Sequence, residues 1–501
     1  MTNWLPELPA GKGPMYARLA HQIAEDIMTG TLPSGAKLPP QRDLAYDLGV
    51  TVGTVGRAYA IVRERGLVSG EVGRGTFVLG SAPAQENGQA AFPEQASETA
   101  SQPRRNVFTP AVAWTEAAMT APDPGFGSTR AAVPPADAMR LDSTSAPEVG
   151  QAEIIGLILS DITRESPHEI ASYTRSVSDD WREAGRRWLS RSNWSPDANT
   201  IVPANGAQAA IMAILAATTS PGDRVAFEEL TYSSIARGAA LSGRQPVTVA
   251  RDEQGPVPED LERVCSQKHP RVLFVMPTIH NPTLSTMGEA RRKDIVTIAR
   301  QHNLWLVEDE VYGSLRNTDL TPVAALAPER TFHVGSLSKS VTAGVRGGWV
   351  SAPTSHAQRI YTAHKMLSGG IAYLLAELSS RLILSGAAAT LRARILDEIT
   401  ARHAIACACL DGHDFISAPD TPFLWLKLPE PWMSSTFKAA ANSAGVLIDD
   451  EDEFKTGRSG KVYHRVRIGF SNPRNREETR QGLTVLRQLL DNPATGYDSF
   501  E

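Results

Sequence analysis

Apolar residues recur at helical spacing at Tyr16, Leu19, Ile23 and Ile27, which predicts one helix with a single buried stripe that Gly30 can end. A turn at Leu32-Pro33-Ser34-Gly35 follows. A second helix is predicted from near Pro40, with Leu44, Ala45 and Leu48 facing inward and Gly49 at its end. Thr51 suits the N-cap of a third helix that buries Val55, Ala58, Tyr59 and Val62, and Gly66 closes it. Leu67-Val68, a turn at Ser69-Gly70 and a strand at Thr76-Phe77-Val78 complete this module, residues 13–80. Residues 81–138 are rich in Ala, Pro, Ser, Gln and Gly with little periodicity and read as a linker, although Trp114 and Phe126 give parts of it something to dock with. From Met139 to Asn492, helical and strand-like segments alternate, which predicts an α/β domain around a mainly parallel sheet.

Composition adjusts this picture only slightly. At 501 residues the chain has room for about two to four domains, and 42% hydrophobic with 21% charged residues is a globular balance. No uncharged apolar run has membrane-spanning length, and Met1–Ala10 has no basic-then-apolar signal pattern, so no membrane partner is expected. Cys265, Cys407 and Cys409 form neither a disulfide framework nor a metal pattern, and they fit a reducing cytoplasm. A net charge of -5 argues against coating nucleic acid through bulk charge, but it leaves room for a small DNA-reading module.

The order of helix, tight turn, helix and β-hairpin in the first module is that of a winged helix-turn-helix. Its recognition helix would offer small or hydroxyl residues at its start (Thr51, Gly53, Thr54), with Arg42, Arg57 and Arg74 placed for phosphates or bases and Gly73-Arg74-Gly75 as a wing tip. The pattern also suits a helical protein-binding module. Charge does not decide between them, since five arginines face four acids between Arg42 and Val78.

In the large domain, Gly335-Ser336-Leu337-Ser338-Lys339 precedes Arg346, giving a lysine able to condense with an aldehyde cofactor, flanked by a hydroxyl and an arginine suited to a phosphate. By itself such a lysine also reads as a surface charge. Ala204-Asn205-Gly206-Ala207-Gln208 opens an apolar helical run, Ala209–Ala217, as a phosphate-binding loop would. Tyr232 follows the strand-like Arg224–Phe227, Asn281 follows Val272–Val275, and Asp309 and Tyr312 follow Leu304–Val307. These polar loops all lie at the carboxyl ends of predicted strands, where parallel α/β sheets collect their ligands.

Two resemblances sharpen these readings. LPSGAKLPPQRDLAYDLGVTVGTVGRAYAIVRERGLVSGEVGRGTFV resembles the DNA-binding domain of the GntR family, which implies DNA contacts at Arg42, Thr51, Thr54 and the wing at Arg74-Gly75. Val52 and Gly56 stand where arginines are common in that family, so their base readout is lost. The segments NGAQAAI, HNPT, EDEVYG and GSLSKSVTAGVRGGW resemble fold-type I, aspartate aminotransferase-like enzymes that use pyridoxal 5'-phosphate. That resemblance implies that Lys339 carries the cofactor as an internal aldimine and that Asp309 pairs with the ring nitrogen. It further implies that Asn281 and Tyr312 bond the phenolic oxygen, that Ala207, Gln208, Ser336 and Arg346 hold the phosphate, and that Tyr232 stacks on the ring. HRVRIGFS implies a carboxylate-binding arginine at Arg467, and Tyr173 resembles a tyrosine that reaches the neighbouring subunit's phosphate. The NPTL sequence lacks the glycine that commonly follows the threonine, and the stretch near Tyr173 lacks the usual glycine-rich run.

Together the resemblances point to the MocR subfamily of GntR regulators. They imply a homodimeric, DNA-binding, pyridoxal-phosphate-dependent regulator that senses an amino compound or the cofactor itself. The alternatives are a working aminotransferase tethered to DNA and a scaffold without cofactor.

Overall fold

A computed structural model describes residues 4, 6, 15–48, 50, 52–71, 75–79, 128–130, 135–191, 193–457 and 461–492. The chain divides into two compact units, Met1–Val112 and Ala113–Glu501.

The small unit packs helices Met15–Met28, Gln41–Asp47 and Val52–Glu64 against the hairpin Val68–Glu71 with Gly75–Val78. Leu19, Ile23, Leu44, Val55, Ala58 and Val62 close one core, because helical spacing turns each stripe toward the other two. Tyr59, buried in that core, donates its hydroxyl to the Pro39 carbonyl at 2.8 Å. The expected turn at Ser69-Gly70 is corrected by the ladder. Ser69 pairs with Phe77 and Gly70 with Thr76, so both residues lie within the first strand. Cross-strand pairing outweighs the local turn preference of a Ser-Gly pair.

The large unit is built on a seven-stranded sheet. Across it the strands run Ile201–Ala204, Gly348–Ser351, Thr331–Ser336, Trp305–Asp309, Val272–Val275, Arg224–Glu228 and Gln245–Val249. Gly348–Ser351 runs antiparallel to both of its neighbours, and the other pairings are parallel. The central strands are buried along their length, as a sheet covered on both faces requires. Alternation decides which face each residue serves. Val225, Phe227, Phe274 and Val307 pack with Ala210, Ile211 and Ile214 of the helix Ala207–Thr218. Ala226, Leu273, Val275 and Leu306 pack with Leu261, Val264, Ile295 and Val296 on the opposite side.

A second, antiparallel sheet orders Phe415–Ile416, Phe423–Lys427, Arg465–Gly469 and Asp449–Asp450. Its register sets Arg467 opposite Trp425 on one side and Asp449 on the other. Among the described residues, no single helix is long and apolar enough to cross a membrane.

Leu44 is fully buried in the core of the small unit. Leu44→Ala is expected to cost that unit about 2–5 kcal/mol. The check is amide exchange, which should quicken across Met15–Met28 and Val52–Glu64.

Candidate functional site

Segments that follow five of the seven strands line a cavity of about 560 Å³. Ala207, Gln208, Tyr232, Asn281, Asp309, Tyr312, Ser336, Lys339, Arg346 and Arg467 all line it, although they are scattered over some 260 residues of sequence. Tyr173 is not brought there. It is 91% exposed and lines a separate groove with Ile170 and Lys365.

One end of the cavity is a seat for an anion. Gly206, at φ 87°, hands the chain to the helix Ala207–Thr218, whose first backbone N–H groups have no partner within the helix. Gly348 packs so closely here that an added Cβ would lie 2.8 Å from the Gly206 backbone. Arg346 holds a left-handed φ of 56°, an uncommon conformation for a non-glycine residue and one that clusters at ligand sites. Ser336 donates its hydroxyl to the Gly347 carbonyl at 3.0 Å and accepts from the Ser338 amide at 3.1 Å.

The centre is an acid and an amine. Asp309 is buried and accepts from the Val311 amide at 3.1 Å, and among the described residues it forms no ion pair. Burial pushes its carboxyl up to about 7, helped by the neighbouring Glu310 and opposed by the Val311 amide. Lys339 donates from Nζ to Thr144 Oγ1 at 3.0 Å, and its Nζ lies 5.6 Å from the centre of the Tyr312 ring. Burial brings its amine down to about 8. The Arg467 and Arg130 charges add to that effect, while Tyr232 and Asp309 oppose it. Thr144 also bonds the Tyr312 hydroxyl at 2.7 Å, and burial raises the pKa of that phenol.

The far wall is Arg467. It donates from Nη1 to Asn281 Oδ1 at 2.9 Å and from Nη2 to the Asp142 carbonyl at 2.8 Å and to Asp449 at 2.5 Å. Among the described residues its buried Nε–H has no partner. Burial disfavours the Asp449 charge, yet the Arg467 and Arg130 guanidiniums hold its carboxyl below the usual range.

Arg130, Arg140, Asp142, Thr144 and Asp449 were missed by reading the sequence. Arg130 sits inside the segment read as linker, where one arginine among small residues gives no periodic signal. A signal did exist in the run Asp449-Asp450-Glu451-Asp452-Glu453. Such runs are normally solvated, but here Asp449, Asp450, Glu451 and Glu453 are buried and each is paired with a cation.

In the small unit, Arg57 is exposed, with its guanidinium 5.7 Å from the Tyr16 ring centre, and Thr54 is half-buried. Gly56, where family members often carry arginine, lies against the second helix. A Cβ there would sit 3.2 Å from Gln41 Oε1. Thr51, Arg74, the side chain of Arg42 and the surroundings of Gly53 and Gly75 lie outside the described residues.

These two units define a DNA-binding regulator with an aminotransferase-like domain. Residues 15–78 match the gntR family of bacterial regulatory proteins, and residues 138–483 match aminotransferase class I and II. The chain belongs to both families, as a helix-turn-helix regulator of the MocR type. It is 30% identical over 491 residues to the HTH-type transcriptional regulator YdeF of Bacillus subtilis, spanning 98% of this chain and 97% of that one. To YdcR of Escherichia coli, another HTH-type regulator, it is 24% identical, spanning 94% and 99%. The structure of LysN, the α-aminoadipate aminotransferase of Thermus thermophilus, superposes with a TM-score of 0.63 at 20% identity, over 71% of this chain and 92% of that one. The fold is therefore that of the fold-type I aminotransferases, whose cofactor is pyridoxal phosphate.

The residues present fit that group. Asp309 is a buried acid lacking a cation, the Gly206–Gln208 turn is an anion seat kept open by two glycines, and Lys339 is an amine with a lowered pKa. Because the Asp309 carboxyl titrates higher in the folded chain than in the unfolded one, it favours folding at low pH. That contribution is lost as pH rises through about 7. Asp309→Asn is therefore expected to raise the melting temperature of the cofactor-free protein at pH 8 while weakening its hold on pyridoxal phosphate. Thermal melts with and without cofactor check both halves. The rate of the absorbance change on adding pyridoxal phosphate should climb with pH through about 8, as Lys339 loses its proton.

Proposed function

We propose that the chain regulates transcription by binding operator DNA through its small unit and by reading an amino acid or amine through pyridoxal phosphate held at Lys339. One observation carries this reading. A single cavity presents a partly deprotonated amine, a buried acid without a cation and an arginine with an unused buried N–H.

When bound, pyridoxal phosphate supplies an aldehyde that condenses with primary amines and a protonated ring that withdraws electrons. Asp309 would keep the ring nitrogen protonated, and Tyr232 would cover the ring face. Asn281 and Tyr312 would bond the phenolic oxygen. Ala207, Gln208, Ser336 and Arg346 would take the phosphate. Arg467, which lines the cavity and whose buried Nε–H has no partner among the described residues, would take a ligand carboxylate. Lys339 is the chain's own amine at this site. A primary amine held by that aldehyde would leave the Lys339 amine to Thr144, within the influence of Asp309 and Tyr232, and its protonation would change the charge of the cavity. A ligand moves the regulator only by its difference in affinity for two states, and a swing from 1:99 to 99:1 takes roughly 5.5 kcal/mol.

The particle is read as a homodimer acting in the cytoplasm, with Tyr173, exposed beside Ile170, available to a second subunit. Light scattering that returns a monomer of the cofactor-loaded protein would remove this part of the reading. The low Lys339 pKa also suits proton transfer, which favours a second reading as a tethered aminotransferase. Release of the keto acid matching the added amine marks the enzyme. A lasting spectral shift without keto acid marks the sensor.

Borohydride reduction of the loaded protein should tag the peptide that carries Lys339, and absence of the tag would end the proposal. Lys339→Ala should abolish the visible absorbance band and keep basal DNA binding. Arg42→Ala should weaken DNA binding, most visibly at low salt, with a shallower salt dependence, and leave the absorbance unchanged.

A further inference from the structure

Arg467, proposed above to take a ligand carboxylate, shares its counter-ion Asp449 with Arg130, in the segment read as linker. Arg130 donates from Nε to Asp449 Oδ1 at 2.6 Å and from Nη2 to Asp449 Oδ2 at 2.7 Å. Arg467 donates to that same Oδ2 at 2.5 Å, and both guanidiniums also donate to the Asp142 carbonyl, at 3.1 Å and 2.8 Å. Arg130 lines the cavity and helps lower the Lys339 pKa, so its charge is felt where a ligand would sit.

The two residues before it are tied to the same acid run. Ser128 Oγ and the Thr129 amide both donate to Glu453 Oε2, at 2.9 Å and 2.8 Å. Thr129 Oγ1 donates to Asp450 Oδ1 at 2.5 Å, and Lys438 Nζ donates to the Thr129 carbonyl at 2.6 Å and to its hydroxyl at 2.7 Å. Glu453 and Asp450 have their own cations, Arg237 and Lys438, and Asp142 pairs with Arg140. At Asp449, however, two guanidiniums meet one carboxylate. At Asp449 itself the cations exceed the carboxylate by one, and both guanidiniums donate to one buried oxygen.

We propose that Ser128–Arg130 is a clasp that tightens when the cavity receives a carboxylate, so that occupancy of the effector site is felt at the end of the chain segment leading to the DNA-binding unit. This rests on the reading that Arg467 takes the ligand's carboxylate. A carboxylate arriving at Arg467 supplies the missing negative charge, removes the repulsion between Arg467 and Arg130, and favours the docked clasp. The coupling is reciprocal: a docked Arg130 raises the affinity of the cavity for carboxylates, and a loosened clasp lowers it. The clasp therefore selects for amino acids over simple amines. Arg130 acts as a positioning residue through Asp449 and Arg467.

The test uses full-length protein loaded with pyridoxal phosphate and two probes. Aminooxyacetate and O-methylhydroxylamine both condense with the bound aldehyde, and only the first carries a carboxylate. Hydrogen exchange at the Thr129 and Arg130 amides should slow with aminooxyacetate and stay unchanged with O-methylhydroxylamine. Thr129→Val keeps the side-chain shape and removes the hydroxyl bonds. It should weaken aminooxyacetate by about fivefold and leave O-methylhydroxylamine unaffected. Arg130→Gln should abolish the slowing by aminooxyacetate. If both probes shift the spectrum and clasp exchange responds to neither, or to both equally, the clasp is overturned and the cofactor site stands. Equal weakening of both probes by Thr129→Val would also overturn it. If neither probe shifts the spectrum, the cofactor reading fails and takes the clasp with it.

Discussion

A carboxylate buried without a cation sets the terms for the large unit. Asp309 ends a strand covered on both faces, and the scaffold spends hydrogen bonds nearby to hold that strand in place. Glu308, one residue earlier, accepts from the Val323 and Ala324 amides and pairs with His333 on the adjacent strand at 2.7 Å. Arg292 lies 3.7 Å from Glu308 and donates to the Met287 carbonyl. These contacts hold Glu308, while Asp309 itself accepts from the Val311 amide and, among the described residues, forms no ion pair. An unneutralised buried acid disfavours folding at neutral pH, so any cation bound beside it would add to stability.

The same accounting runs differently at the far wall. The acid run from Asp449 to Glu453 would be a solvated stretch on most proteins, but four of its carboxylates are buried and paired. Buried pairs add little net stability, and removing one partner is costly, so such a network fixes geometry more than it strengthens the fold. Here it fixes Arg467 at the cavity and Ser128–Arg130 beside it.

The small unit follows simpler physics. Three apolar stripes and a short hairpin close a core, leaving Arg57 in solvent. A Cβ at Gly56 would lie 3.2 Å from the tip of the exposed Gln41 side chain, a contact that side chain can relieve by moving.

Local pattern determined a good deal by itself. Helical stripes gave the three helices of the small unit, apolar runs marked Val272–Val275 and Arg224–Phe227 as strands, and polar loops after strands drew attention to Lys339 and Asp309, while Arg467 came only from a family resemblance. Those signals are legible because periodicity and motif spacing reflect interactions between residues close in sequence. The Ser69-Gly70 pair shows the limit, since its turn preference yielded to a partner strand. Only the tertiary structure decided which acids are buried, that Thr144 bridges Lys339 and Tyr312, and that Arg130 meets Arg467 on Asp449, more than 300 residues away in the chain. Such pairings depend on register between distant strands and on desolvation, and no window of neighbouring residues encodes either one.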